Sequence, residues 1–400
     1  MVLPRGLKMQ INSEWIKNKS LQNILKILKK AGHNAYLVGG CIRNNILNFP
    51  VNDIDISTDA KPQETLDLFN TGSFKATPTG FSHGTVTVVS GGIPYQITTM
   101  RSDQNTDGRH ADVSFSDNIT EDAERRDFTI NALYADPNGK IIDPIGGLKD
   151  FRPLKIKFIG NANNRIQEDY LRILRFFRFH AQFSELVVDF EQDALDAIKN
   201  NQNSLKLLSK ERVWNEFQKI LLSKNPSRAL LEMSKIGILE KVSIDGGIKN
   251  IKNLISIEEK MGIEPEAIRR LVAITRNTEK TSLNLSRKEA RKFSLLKSLL
   301  GKKFDLAELV YQFNKEIAQS VLAIYTFNQG EKLKLSDVAK IEKACLYPCP
   351  ISGAHLSKYM SGEDVGIKLK EAQRVWIKSN FKSDAAKILN VIGIKTKTHS

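Results

Sequence analysis

Apolar spacing divides the 400-residue chain into two regimes. Between residues 11 and 32, Leu21, Ile24, Leu25 and Leu28 follow helical spacing and Gly32 supplies a stop, which predicts an amphipathic helix. Short strand-like runs with turn punctuation follow: AYLVGG, NDIDIS, GTVTVVSGG, PYQITTM and, after a polar stretch, TINALYAD and GKIIDP. One helical segment, KPQETLDLF, interrupts them with Pro62 in its first turn. Up to about residue 150 the pattern is that of a mixed α/β domain. Beyond residue 165 it turns helical and stays so. RIQEDYLRILRFFRFHAQF reads as one helix. SKERVWNEFQKILLS reads as another, with Ser209 as N-cap and Val213, Phe217, Ile220 and Leu221 on one face. SRKEARKFSLLKSLL is a third, opened by a capping box of Ser286 and Glu289. No fixed-period repeat interrupts this order.

Composition narrows the picture. Hydrophobic residues make up 41%, as in a globular protein, and no apolar run is long enough to cross a bilayer. The first residues, MVLPRGLKMQINSEW, lack the apolar core of a signal peptide. Cys41, Cys345 and Cys349 are too few for a disulfide framework and suit a reducing compartment, so a cytoplasmic protein without a membrane partner is expected. Cys345 and Cys349 have no second ligand pair nearby, and the six histidines show no ligand spacing.

Charge is uneven. The formal net charge is +15, yet residues 1–150 carry 16 Lys/Arg against 17 Asp/Glu. The remaining 250 residues therefore hold a net of +16. A basic helical part joined to a near-neutral α/β part suggests a polyanion grip beside a separate reaction site. The plainer alternative is lysines that only solubilise helical surfaces.

Four stretches carry candidate chemistry. In VGGCIRNNILNFPVNDIDIST, Gly39 and Gly40 end a strand and let backbone approach a ligand. Arg43 lies one turn into the following helix and could reach the same anion. Asp53 and Asp55 alternate with isoleucines, and in a strand both would point to one face. Two acids so placed either share a hard divalent cation or are solvated and without a role. AERRDFTINAL sets Arg125, Arg126 and Asp127 before an apolar element, as a site or as a surface ion cluster. In EDYLRILRFFRFH, Asp169, Arg172, Arg175 and Arg178 recur every third residue. Arginines among so many apolar residues need acceptors, either phosphates or the carboxylates of an ion-pair ladder.

These stretches occur in one order with DPIGGLKD, SKERVWNEFQKIL and ITTMRSDQNTDGRHADVSF. Together they resemble the class II tRNA nucleotidyltransferases, the bacterial CCA-adding enzymes, and their close relatives the bacterial poly(A) polymerases. The resemblance covers roughly residues 20–240 and continues more weakly in ISGAHLSKYMSGEDVGIKLKEAQRVWIKSNF. It implies an α+β fold: a DNA-polymerase-β-like nucleotidyltransferase head over residues 20–160, a helical neck over 161–240, and an all-α body and tail over 241–400. It implies that Asp53 and Asp55 are catalytic and bind Mg²⁺. Gly39, Gly40, Arg43, Arg126 and Asp127 would serve the nucleotide triphosphate. Asp169 and Arg172 would face the incoming base, with Arg175 and Arg178 supporting the site. Asp107 and Arg109, in the DGR stretch, match the family's flexible loop.

The implied activity is addition of CCA to the 3′ end of tRNA from CTP and ATP, without a nucleic-acid template. Physical chemistry agrees with the base-facing pair. Cytosine and adenine both offer an exocyclic amine to a carboxylate and a ring acceptor to arginine. Guanine and uracil carry a carbonyl there, and an unpaired buried group costs about 1–3 kcal/mol. Two positions depart from the family pattern. Asn44 stands where Asp is commoner, and Gln96 stands where many relatives have Glu. The second departure leaves two carboxylates, not three, at the expected metal site. Poly(A) polymerase is the nearest rival; the DGR stretch and the absence of a long basic tail extension favour CCA addition.

Overall fold

The computed structural model describes residues 9–104, 112–187, 189–244, 248, 251–275 and 282–394. Its contacts group the chain into two units, Met1–Glu216 and Phe217–Ser400.

The first unit is built on a mixed sheet. Its strands are β1 (Ala35–Val38), β2 (Asp55–Thr58), β3 (Lys75–Gly80), β4 (Thr85–Ser90) and β5 (Ile93–Thr99). A separate ribbon pairs β6 (Arg101–Gln104) with β7 (Asp112–Phe115), and β8 (Tyr134–Ala135) and β9 (Ile141–Ile142) complete the main sheet. The sheet order is β3-β4-β5-β2-β1-β8-β9. β2 is central, antiparallel to β1 and parallel to β5. In this register Asp55 faces Val38 on one side and Gln96 on the other. Alternation along β4 and β5 buries Val86, Val88, Tyr95 and Ile97 and turns Thr85, Thr87, Gln96 and Thr98 to the opposite face.

Eight helices frame the sheet and lead away from it: α1 (Lys19–Lys30), α2 (Gly40–Ile46), α3 (Pro62–Phe69), α4 (Ile119–Glu124), α5 (Ala162–Glu168), α6 (Leu171–Gln182), α7 (Gln192–Asn201) and α8 (Lys210–Leu221). α1 buries Leu21, Ile24, Leu25 and Leu28, the face expected from spacing. α8 buries Val213, Phe217, Ile220 and Leu221, and Ser209 Oγ accepts the Arg212 N–H at 3.3 Å. The second unit is all-helical among its described residues, from Ser227–Lys235 to Ala385–Val391. Its Arg287–Leu300 helix opens with the capping box of Ser286 and Glu289. An apolar cluster of Ile351, Leu356, Ala372, Trp376, Ile388 and Leu389 holds its last helices together. The α+β expectation, a sheet-bearing head followed by helices, is borne out.

Three elements differ from the periodicity reading. The single helix expected over RIQEDYLRILRFFRFHAQF is two, broken at Asp169, whose backbone is extended (φ −152°, ψ 105°). Asp169 accepts the Leu171 N–H on its side chain at 3.1 Å and the Arg172 N–H on its carbonyl at 3.0 Å. A short acidic side chain thus takes backbone donors that a continuous helix would need. TINALYAD is a 3₁₀ turn over Thr129–Asn131 followed by a two-residue strand. Asn131 closes that turn, its side chain donating to Asp127 at 2.9 Å. The acid pair, finally, is not within one strand: β2 begins at Asp55, and Asp53 lies in the irregular approach to it. β3 and β6 went unanticipated because their residues are mostly polar, and β7 because its alternation spans only four residues. No helix among the described residues is long and apolar enough to cross a membrane.

Candidate active site

The site starts where β1 turns into α2. Gly39 adopts φ 74° and ψ −119°, a conformation strained for any residue with a side chain. A Cβ there would also stand 3.4 Å from an Arg126 nitrogen and 3.6 Å from the Asn131 carbonyl. The turn therefore requires glycine, and it brings two elements distant in sequence against the backbone. Gly40 begins α2, whose first turn leaves backbone N–H groups without helical acceptors.

Arg43, on the same short helix, is buried. It donates to Asn131 Oδ1 at 2.5 Å and twice to Asn44 Oδ1, at 3.1 and 2.8 Å. Asn44 in turn donates to the Pro50 carbonyl at 2.9 Å. The residue that departs from the family pattern thus works as a clamp for Arg43. Burial, and next the Arg178 charge, push the Arg43 guanidinium down to about 10.

Phe179 gathers three cations. The guanidinium carbons of Arg43, Arg175 and Arg178 lie 4.9, 5.7 and 4.2 Å from its ring centre. Such contacts partly offset the desolvation of a cation. Arg175 donates to Asp127 Oδ2 at 2.7 and 2.5 Å, and Arg178 pairs with Glu216 at 2.7 Å. Burial would raise the Asp127 carboxyl, but Arg175 and the Asn131 hydrogen bond outweigh it and hold it at about 2. Asp127 therefore works as a fixed anion that orders Arg175 and Asn131.

Arg126 is held by a second network. It donates to Tyr134 Oη and to Asp122 Oδ2, both at 3.1 Å, and its guanidinium lies 5.3 Å from the Tyr134 ring centre. Asp122 is fully buried and also accepts from Arg125 at 2.8 and 2.6 Å, from Tyr134 at 2.6 Å and from Ser57 at 3.3 Å. Burial opposes its charge, yet Arg126 and Arg125 hold its carboxyl well below the usual range.

Against these partnered groups stand Asp53 and Asp55. No side-chain hydrogen bond or ion pair among the described residues engages either carboxylate. Asp53 is exposed and Asp55 half-buried. Burial first, and then the Asp53 charge, push the Asp55 carboxyl above its ordinary value, although Arg126 and Arg43 pull it down. Two adjacent acids without partners, one of them costly to ionise, are a donor set that a hard divalent cation fits. Gln96 extends the same row of the sheet without adding charge. The Cys41 thiol beside them is buried and pushed up to about 12, so it stays protonated and is no ligand.

Asp169 and Arg172 lie at the start of α6, but each has another partner. Arg172 donates to Glu168 at 2.5 Å and to the carbonyls of Arg165 and Arg125 at 2.8 and 3.0 Å. Asp169 accepts from Arg212 of α8 at 3.1 and 2.9 Å. Asp107 and Arg109 lie outside the described residues. Asn131, Asp122, Tyr134, Glu216 and Arg212 were not singled out from sequence. Only Asp122, within the acid-rich run before Arg125, left a signal there: an acid three and four residues before two arginines on a helix.

Comparison with known proteins now bears on this geometry. Residues 35–157 match the family model described as "Poly A polymerase head domain". Residues 188–243 match "Probable RNA and SrmB- binding site of polymerase A". The human mitochondrial CCA tRNA nucleotidyltransferase 1 is 29% identical over 395 residues, spanning 94% of this chain and 90% of that protein. The crystal structure of the Bacillus stearothermophilus CCA-adding enzyme in complex with CTP superposes with a TM-score of 0.70 at 25% identity, covering 93% of this chain and 97% of the other. Over both segments the chain is similar to the class II CCA-adding enzymes and poly(A) polymerases. A CCA-adding enzyme of Lactobacillus delbrueckii subsp. bulgaricus is 40% identical over 249 residues, spanning 61% of this chain and 60% of that protein. The sheet unit thus matches the nucleotidyltransferase head of these enzymes, which generally use divalent metals.

Proposed function

We propose that this protein is a tRNA nucleotidyltransferase that adds CCA to the tRNA 3′ end from CTP and ATP, without a nucleic-acid template. The observation that carries the reading is the pairing of two free carboxylates with a preassembled arginine cluster in a head whose relatives are CCA-adding enzymes. Poly(A) polymerase shares the head model, but the full-length relatives above are CCA-adding enzymes.

Asp53 and Asp55 would hold Mg²⁺. Bound there, the metal supplies activation of the attacking hydroxyl and charge neutralisation at the leaving pyrophosphate. The chain's own groups do the rest. The turn at Gly39 and Gly40 admits the triphosphate close to backbone N–H donors, and Arg43, Arg126 and Arg178 complement its charge. Asp127 keeps Arg175 aimed beside them. The tRNA 3′-oxygen forms a bond to the α-phosphorus, the bond from that phosphorus to the bridging oxygen breaks, and pyrophosphate leaves with its electron pair. Asp169 and Arg172, at the head of α6, read the base edge. The excess of lysine and arginine beyond residue 150 grips the tRNA backbone. Three free cysteines agree with a cytoplasmic setting.

The test offers tRNA lacking its last three nucleotides with CTP and ATP, separately and together. Two C additions with CTP alone, and completion to CCA with both, are expected. Unlimited A addition without C incorporation would refute CCA synthesis.

A further inference from the structure

We propose that Arg212 is a specificity-determining positioning residue: it fixes which oxygen of Asp169 is offered to the incoming base. The inference rests on the reading of Asp169 as a base-facing group. A carboxylate accepts only, with about four lone-pair sites over two oxygens. In the structure three contacts occupy them. Arg212 Nη2 reaches Oδ1 at 3.1 Å and Oδ2 at 2.9 Å, and the Leu171 N–H reaches Oδ1 at 3.1 Å. Among the described residues Oδ1 is therefore filled, and Oδ2 keeps one free acceptor position.

The two anchors come from different elements. Leu171 N is the first donor of α6, and Arg212 stands in the first turn of α8, where Ser209 caps the helix through the Arg212 N–H. A carboxylate held from two helices cannot rotate about its terminal bond without losing one of them. Its free acceptor thus has a defined place, as discrimination between an amine and a carbonyl on the base requires. The side chains of Arg212 and Asp169 remain 34% and 28% exposed, so a ligand can still reach Oδ2. Arg172 beside it is itself anchored, to Glu168 and two backbone carbonyls, and none of its side-chain donors goes to the Asp169 carboxylate among the described contacts. Without Arg212, Asp169 keeps a single tether at Leu171, and the acceptor position blurs.

The experiment measures single-turnover kcat/KM for CTP, ATP, UTP and GTP on tRNA lacking its CCA end, with wild type, R212A, R212M, R212K and D169A. Thermal melts confirm that each variant is folded. R212A is expected to lose about tenfold in preference for CTP and ATP over UTP and GTP, equivalent to one misplaced hydrogen bond. R212K, which keeps the charge and offers one nitrogen where Nη2 alone makes both contacts, is expected to recover part of that preference. An R212A enzyme that slows with all four nucleotides alike, while D169A loses discrimination, overturns the positioning role and leaves the Asp169 reading standing. A D169A enzyme that discriminates like wild type removes the Asp169 reading, and this inference with it. Should R212A not fold, R212M, which keeps the length but removes the donor, decides: an unchanged preference in that variant overturns the proposal.

Discussion

Two arginine-bearing helices look alike in sequence and differ in what surrounds them. In the second unit, Arg269 and Arg270 sit in the apolar Ala267–Ile274 helix, with side chains 3% and 1% exposed. Glu258 holds both, at 2.7 Å and at 2.9 and 2.6 Å, and the carbonyls of Leu221 and Ser223 take further Arg270 donors. On α6, Arg175 and Arg178 also have carboxylate partners, yet remain 31% and 15% exposed. They also crowd Arg43 against one phenylalanine ring, so cations outnumber the two acids that balance them. A sealed pair with saturated donors stabilises a fold. A half-open cluster with surplus positive charge, beside carboxylates that take no partner among the described residues, has the charges that a polyanion and a metal would complement.

That contrast can be broken at several points. The largest effect is expected at the free acids. Asp53→Ala or Asp55→Ala should lower nucleotide addition by at least about a thousandfold, since each removes part of the metal's donor set, while filter binding of tRNA survives. Wild-type turnover in either variant would sink the metal assignment. Next comes the sealed pair. Glu258→Gln leaves two buried guanidiniums undercompensated and should cost about 3–5 kcal/mol of stability, read by denaturant unfolding. Nucleotide affinity of the folded fraction should not change.

Asp127→Asn should do the reverse in emphasis. Loss of its ion pair to Arg175 is expected to raise KM for CTP and ATP about tenfold, with stability falling less than in Glu258→Gln. Equal effects of the two substitutions on nucleotide affinity would erase the distinction between sealed and open clusters.

The smallest effect concerns pH. The Asp55 carboxyl is raised, so its protonated form favours the metal-free fold: that contribution is full in acid and is lost as pH rises through the raised value. Metal binding needs the ionised form and runs the opposite way. Divalent-ion affinity, followed calorimetrically, should therefore weaken at a higher pH on acidification than an ordinary aspartate would give. Asp55→Asn should flatten this dependence and raise the melting temperature of the metal-free chain at neutral pH. A pH profile unchanged by that substitution would show that Asp55 does not govern the titration.

Some of this was legible in the sequence for definite reasons. α1, α3 and α8 were readable because their apolar residues repeat at helical spacing and their termini carry recognisable signals in Gly32, Pro62 and Ser209. The strand at AYLV was readable as a short apolar run closed by glycines, and those at TVTVVS and PYQITT because their alternation matches a half-buried sheet. β3 was not, because an edge strand that buries little needs no apolar pattern. The break at Asp169 was hidden because Ile166, Tyr170 and Ile173 keep helical spacing across it, while the competing side-chain hydrogen bond has no periodic signature.

By itself, the sequence determined the residue types of the chemistry and their order: a glycine turn, two acids, an RRD run and an arginine-bearing helix. These are legible because each is local, a matter of spacing within one element. Only the tertiary structure decided who partners whom. Asp127 turned out to order Arg175, 48 residues on, and Asp169 to take Arg212, 43 residues on. Asp122 gathers two arginines, a tyrosine and a serine, while Asp53 and Asp55 take none. The physical reason is that a charge's function depends on which of its lone pairs or protons remain unspent after folding, and that remainder is set by long-range packing.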